Sequence, residues 1–280
     1  EKTQDIGKKK IFFSDKDIIL KAIRSKNFRL SNNLKLNIIK DLSGYKKLSH
    51  KLSLRKAIIN SKDIKKNDVF FAIKGKKKDG NKFVGQSFKK GASLAIVNRI
   101  DKNLNINRQI KVKSSLKFLT DCSKIFRNNI NTHIIAITGS SGKTTLKELL
   151  GNSLKKISKV GISPKSYNNK YGVPLSLINL EHNYEYGILE VGMDKKGEID
   201  FLSKIIQPNV SVITNVNYAH AQNFKNIKEI ALAKSEIINN TKSNGFVVLN
   251  RDDKFFRFHN KLALKKNLHV ISFGINNKQA

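Results

Sequence analysis

The chain has 280 residues, a length that allows about two domains, and 39% of it is hydrophobic, enough for packed cores. Its single cysteine, Cys122, excludes a disulfide framework and suits a reducing compartment, and no apolar run approaches the ~20 residues of a membrane-spanning helix. The formal charge of +34 points either to a polyanion-binding surface or to a genome whose codon use favours Lys, Ile and Asn. Lysines spread through every segment, Trp is absent and Pro occurs only three times, which favours the codon origin. Duplex DNA retained at physiological salt would favour the first, and a phosphate-rich substrate would be drawn to either surface. The opening residues, EKTQDIGKKK, lack the apolar core of a signal peptide and begin on Glu1 rather than Met. A cytoplasmic protein with a trimmed or lost N-terminus is therefore expected.

In residues 1–50, Ile18, Ile19, Leu20 and Ile23 suggest one short helix after Ser14 or Asp15, and the remainder is polar and Lys-rich. Residues 55–98 read as a compact α/β unit without a catalytic constellation, and so as a binding domain. Its expected strands are Ala57–Asn60, Val69–Ile73 and Leu94–Val97, with a helix over Asn81–Gly91. The charged loop Lys74–Lys78 is either a solvated turn or a phosphate contact. Residues 99–115 are polar, with little periodicity, and read as a linker. A helix over Ser115–Ile130 follows, and its apolar spacing makes Cys122 a packed core thiol rather than a nucleophile.

Residues 131–275 alternate strand and helix. Strands are expected at 133–138, 186–191, 210–215, 246–250 and 269–273, and helices at 143–156, 197–206, 227–240 and 254–265. Short apolar strands alternating with helices predict a doubly wound, mostly parallel sheet that binds ligands beyond its strand C-termini.

The stretch Ile134–Leu150, IIAITGSSGKTTLKELL, carries the densest chemistry. An apolar strand, a glycine-containing loop, Lys-Thr and a helix form a nucleotide triphosphate cradle. Glycines let backbone N–H groups close on phosphate oxygens, and the helix N-terminus adds its positive dipole end. The expected nucleotide-binding residues are Gly139, Ser140, Ser141, Gly142, Lys143, Thr144 and Thr145. Lys143 can reach the β- and γ-phosphates, and the Thr144 hydroxyl can ligate Mg²⁺. The full pattern would place glycine at position 137, where Ile137 stands. A plain Gly-Ser turn before a helix is the competing reading.

Three further residues are expected at the same sheet edge. Glu190 ends an apolar strand and reads as a Mg²⁺ ligand opposite the loop, or else as a cap for the helix near Gly197. His220 follows VITNVNYAH just past another strand end, a placement that favours a ligand over a structural histidine. Lys234 shares a helix face with Ile230, Ile237 and Ile238. Buried there, it would lose its proton easily, and a neutral amine can take up CO₂ to become a carbamate that ligates Mg²⁺. A snorkelling surface lysine fits the same spacing, and helix geometry leaves the two open.

In combination these motifs are specific. T-G-S-S-G-K-T-T, S-Y-N-N-K-Y-G-V-P (Ser166–Pro174), L-E-V-G-M-D-K-K-G-E-I (Leu189–Ile199), T-N-V-N-Y-A-H and A-L-A-K-S-E-I together resemble the Mur ligase family of peptidoglycan synthesis. The E-V-G stretch is similar to the branch that adds D-Ala-D-Ala rather than to the one that adds diaminopimelate or lysine. The segment from Asn60 resembles that branch's UDP-substrate-binding domain, with Asn60-Ser61-Lys62 in place of its usual Asp-Ser-Arg.

The resemblance covers roughly residues 55–275. It implies an N-terminal UDP-substrate-binding domain over 1–112, a central ATP-binding P-loop domain over 113–275, and a hinge beginning at 276–280. It implies ATP-dependent joining of D-Ala-D-Ala to UDP-N-acetylmuramoyl-tripeptide through an acyl phosphate. By motif, Lys143 would hold the phosphates and Thr144 the first Mg²⁺. Glu190 and His220 would hold the second, and Lys234 would be the family's carbamylated lysine. Asn168 and Asn169 would lie near the reacting groups, and Ser61 would contact the substrate. A monomer with no specific nucleic-acid partner and no membrane span is expected. The family's C-terminal domain would begin where this sequence stops, so weak nucleotide binding and little turnover are expected of residues 1–280 alone. Three other outcomes stay open: a folylpolyglutamate-synthase-like ligase, a basic P-loop ATPase stimulated by nucleic acid, and a non-catalytic remnant.

Overall fold

The computed structural model describes residues 34–45, 54–75, 77–218 and 223–276. The helix expected over 14–23 lies outside the described residues.

Two parallel sheets organise the chain. The smaller joins β1 (Ala57–Ile58), β2 (Val69–Phe71), β3 (Leu94–Val97) and β4 (Gln109–Lys111) in that order. Every pairing in it is parallel. Before it runs helix α1 (Leu34–Ser43), and between β2 and β3 a 3₁₀ turn (Gly80–Phe83) leads into α2 (Val84–Lys89). The single helix expected over 81–91 is thus shorter and begins as 3₁₀. The charged 74–78 loop is pinned at its ends by a bridge between Lys74 and Asp79.

The linker expectation for 99–115 is corrected. Gln109–Lys111 pairs with β3, and the Gln109 amide donates to the Asp101 carbonyl at 2.9 Å, closing the polar loop onto itself. These bonds are long-range, so no periodicity announces them. Helix α3 (Ser115–Asn128), capped by Ser114, follows at once. It packs against α1 on one side and the larger sheet's helices on the other. Its Phe118, Leu119, Cys122, Ile125 and Phe126 belong to a hydrophobic core shared by both sheets. Burial pushes the Cys122 thiol pKa well up, as suits a packed thiol.

The larger sheet has the order β10-β9-β8-β5-β7-β6, again all parallel. Its strands are β5 (His133–Thr138), β6 (Val160–Ile162), β7 (Tyr186–Glu190), β8 (Val210–Ile213), β9 (Phe246–Asn250) and β10 (His269–Phe273). The connecting helices are α4 (Lys143–Leu154), α5 (Gly172–Ile178), α6 (Glu198–Ile206), α7 (Ile227–Asn239) and α8 (Phe256–Lys265). Leu146, Leu150 and Leu154 of α4 cover one face over Ile135, Ile137 and Val212, while α3, α6 and α7 pack on the other. This is the doubly wound α/β architecture expected.

Elements not foreseen are short and locally featureless. Gly161 is the middle residue of β6, where a side chain would strike Leu180 and Tyr184. α5 is buried on every residue and so shows no amphipathic period. The sheets meet where the Asn179 amide closes on edge strand β1, accepting from Ala57 N–H and donating to Ala57 C=O, both at 2.8 Å. Among the described residues no helix is long and apolar enough to cross a membrane.

Candidate functional site

The P-loop springs from the middle of the larger sheet. Position 137, where the motif lacks its first glycine, proves to be strand. Ile137 is fully buried and pairs with Glu190 on β7 and Val212 on β8. The turn itself starts at Gly139, whose φ of +151° few side chains tolerate and whose added Cβ would sit 1.8 Å from the Thr214 hydroxyl. Gly142, at φ +77°, opens α4.

The segment after β8 braces the loop from behind. Ser140 N–H donates to Asn215 C=O at 3.0 Å, and Ser141 N–H donates to the Asn215 side chain at 3.1 Å. The Thr214 hydroxyl donates to Ser141 C=O at 2.7 Å, and the Ser140 hydroxyl exchanges hydrogen bonds with the Asn217 backbone. The strand-end position of Asn215 is legible in the sequence, and the packing adds its role as a brace for the loop.

On the cleft side, Lys143 folds back so that Nζ donates to Gly139 C=O at 2.8 Å. Burial lowers its pKa, and the Glu190 carboxylate opposes that shift. Thr144, on the first turn of α4, donates its hydroxyl to Glu190 Oε2 at 2.7 Å. Asn168 Nδ2 donates to the other oxygen, Oε1, at 2.8 Å. Glu190 is therefore buried in the site and does not cap α6.

Lys234 completes the rim. Its residue is 2% exposed, on the face of α7 that also buries Ile230, Ile237 and Ile238. Burial first, and then the positive charge of Lys143, lower its pKa to about 7. The snorkelling reading is thereby excluded. Lys143, Lys234, Asn168, Asn169, Gly139 and Met193 all line one cleft of about 840 Å³.

Not every expected residue converges there. Asn169 lines the cleft, but its side-chain oxygen accepts from Tyr171 and Gly172 N–H, both at 3.1 Å, so it caps α5. Thr145 is exposed on the first turn of α4. Ser61 lies in the smaller sheet's unit, where its hydroxyl donates to Gln86 at 2.7 Å. It neighbours a second cavity, of about 440 Å³, between the two sheets; Lys56, Asn60, Tyr167 and Asn179 line that cavity. His220 lies outside the described residues, so this structure does not place it.

The donor set fits the groups it would hold. A glycine turn that no side chain could occupy, followed by a helix N-terminus and a lysine, suits phosphate oxygens. A hydroxyl and a carboxylate on adjoining elements suit Mg²⁺, which takes one or two carboxylates and fills its remaining positions with phosphate and water. Among the described residues no group of three His, Cys, Asp or Glu is clustered for a metal.

Strand, glycine turn, Lys-Thr and helix at the crest of a parallel sheet, with a carboxylate at the next strand end, define a P-loop nucleotide-binding protein. The Mur ligase middle domain matches residues 137–280, and the chain belongs to the Mur ligase family. Curated relatives include the UDP-N-acetylmuramoyl-tripeptide--D-alanyl-D-alanine ligases of Buchnera aphidicola and Rickettsia prowazekii. The first is 32% identical over 81% of this chain and 49% of its own length, and the second is 34% identical over 82% and 51%. Among solved structures, MurF from Acinetobacter baumannii superposes with a TM-score of 0.75 at 30% identity, covering 85% of this chain and 52% of that one. MurF from Thermotoga maritima in complex with ADP gives 0.69 at 34% identity, covering 82% and 52%. The chain spans about half the length of the curated relatives it matches.

Proposed function

We propose that this chain serves ATP-dependent amide-bond formation, joining D-alanyl-D-alanine to UDP-N-acetylmuramoyl-tripeptide in peptidoglycan precursor synthesis. One observation carries the reading. The P-loop hydroxyl of Thr144 and the carboxylate of Glu190 meet at 2.7 Å, directly behind the cleft lined by Lys143, Lys234 and the Asn168 that donates to that carboxylate. The relatives named above supply the substrate class.

In this reading a carboxylate oxygen of the tripeptide attacks the γ-phosphorus of ATP. The P–O bond to ADP breaks and an acyl phosphate forms. The dipeptide amine then attacks the acyl carbon, loses its proton, and expels phosphate. Lys143 holds the phosphate oxygens and offsets charge moving between them. Thr144 would hold a first Mg²⁺, Glu190 and His220 would hold a second, and the metals would supply charge neutralisation at the phosphates. Asn168 orients Glu190.

Lys234, with its pKa near neutrality, is suited to carbamylation. Its amine would bond to the carbon of CO₂ and release a proton, giving an anionic metal ligand. A ¹³C signal from labelled bicarbonate, present in the native chain and absent in Lys234→Met, is the expected result. The protein would act in the cytoplasm, as a monomer, with the 1–112 and 113–275 units holding UDP-substrate and ATP respectively.

The test is phosphate release by the full-length gene product, with each substrate omitted in turn. Release should require both the UDP-tripeptide and D-Ala-D-Ala. Release that duplex DNA stimulates in place of the dipeptide would select a nucleic-acid-dependent ATPase instead.

A further inference from the structure

Lys147 lies on α4 three residues beyond Thr144, and it is fully buried. An ammonium group in such a place is costly unless its hydrogens are matched. Here Nζ donates to Ser163 C=O at 2.8 Å and also to Lys165 C=O, and it lies 3.1 Å from the half-exposed Glu148 carboxylate. One turn further on, Gly151 lets α4 pack so closely on β6 that an added Cβ would meet Ile162 at 2.2 Å. The lysine is therefore locked between the helix that follows the P-loop and the loop that leaves β6.

That loop reaches the metal-facing carboxylate from two sides. The Ser163 hydroxyl accepts from Glu190 N–H at 3.3 Å, and Asn168 Nδ2 donates to Glu190 Oε1 at 2.8 Å. Gly192 N–H donates to Asn168 C=O at 2.8 Å, and a side chain at Gly192 would collide with the Asn168 amide. The carboxylate orientation thus depends on where the 163–168 loop sits, and two of that loop's carbonyls are held by Lys147.

We propose that Lys147 is a positioning residue for the metal site. Its ammonium ties the P-loop helix to the 163–168 loop, which sets Asn168 against Glu190 and keeps that carboxylate facing Thr144. The role rests on the ligase reading above. A partner that orients a metal ligand typically changes metal affinity by about 10–100-fold when removed.

The test measures binding of a fluorescent ATP analogue by the full-length gene product as Mg²⁺ is titrated. Lys147→Met removes the donors at similar volume, and Lys147→Gln retains one donor and should be intermediate. Arg127→Met serves as the comparison. Arg127 is another buried cation, donating to Ile206 and Gln207 carbonyls at the C-terminal end of α6, away from the cleft. Both Met variants should lose stability, but only Lys147→Met should raise the half-saturating Mg²⁺, by about tenfold. On an Asn168→Ala background, Lys147→Met should add little further shift, since both act on the same carboxylate. Equal Mg²⁺ shifts in Lys147→Met and Arg127→Met, or full additivity with Asn168→Ala, would overturn the positioning role alone. If Lys147→Met does not fold, Lys147→Gln with an unchanged Mg²⁺ requirement would overturn it equally. A native chain that binds no nucleotide at any Mg²⁺ concentration would overturn the ligase reading, and this role with it.

Discussion

Burial decides the charge state of Lys234. In an unfolded chain it would hold its proton up to 10.5, and in the folded protein only to about 7. Below about 7 both states are protonated, and the native state bears the full cost of burying the charge. Between about 7 and 10.5 the unfolded chain binds more protons, so stability from this residue rises with pH across that window. Lys35, lowered to about 8 by burial, contributes a slope of the same sign. Lys234→Met should therefore stabilise the protein at pH 6, by on the order of 2 kcal/mol. Urea midpoints at pH 6, 7, 8 and 9 should show a flatter profile than the native chain, and an unchanged profile would refute the burial argument. The same residue shows how far the sequence reaches. Spacing placed Lys234 among isoleucines, but whether its amine is covered depends on what packs against α7.

At the scale of elements, the β5–loop–α4 unit is local in sequence and was readable as such. Strand, turn and helix each have their own period, and the glycines sit where the backbone must leave ordinary φ values. Gly139 is the sharpest case, since its Cβ would overlap the Thr214 hydroxyl. Gly139→Ala should weaken nucleotide binding about 100-fold, as expected if ~2–3 kcal/mol of loop distortion falls on the phosphate cradle. Isothermal titration with MgATP checks this, and native-like affinity would show that the loop adapts. β4 and β6 were not readable, because three-residue strands carry no period of their own and exist only through β3 and β7. The contact of Asn179 with β1 is of the same kind, joining residues 122 positions apart. Asn179→Ala leaves a backbone N–H and C=O without their partner and should cost ~1–3 kcal/mol. The urea midpoint should fall while MgATP affinity stays unchanged, because Asn179 lies outside the P-loop cleft.

At the scale of the whole molecule, the sequence carries a net charge of +34, and Lys143, Lys170, Lys195, Lys196 and Lys234 line the P-loop cleft. Such a field speeds encounter with anions and is screened beyond roughly 10 Å at 0.1 M salt. The association rate of MgATP, followed by stopped-flow, should fall severalfold between 20 and 300 mM salt, with a much smaller change in the dissociation rate. Retention on duplex DNA at physiological salt would instead indicate a nucleic-acid partner.

The sequence by itself determined the alternation of short apolar strands with helices, and with it the parallel sheet. It also determined that Lys143, Thr144 and Glu190 share one rim, because parallel strands all present their C-terminal ends on the same side. Only the tertiary structure decided which side chains on that rim lose contact with water and which serve the scaffold. It buried Lys147 and Lys234, turned the Asn169 side chain into a helix cap, and set Ser61 beside a separate cavity between the sheets. The physical reason is range. Strand, turn and helix preferences act over a few neighbouring residues, whereas burial and side-chain pairing come from segments that folding alone brings together.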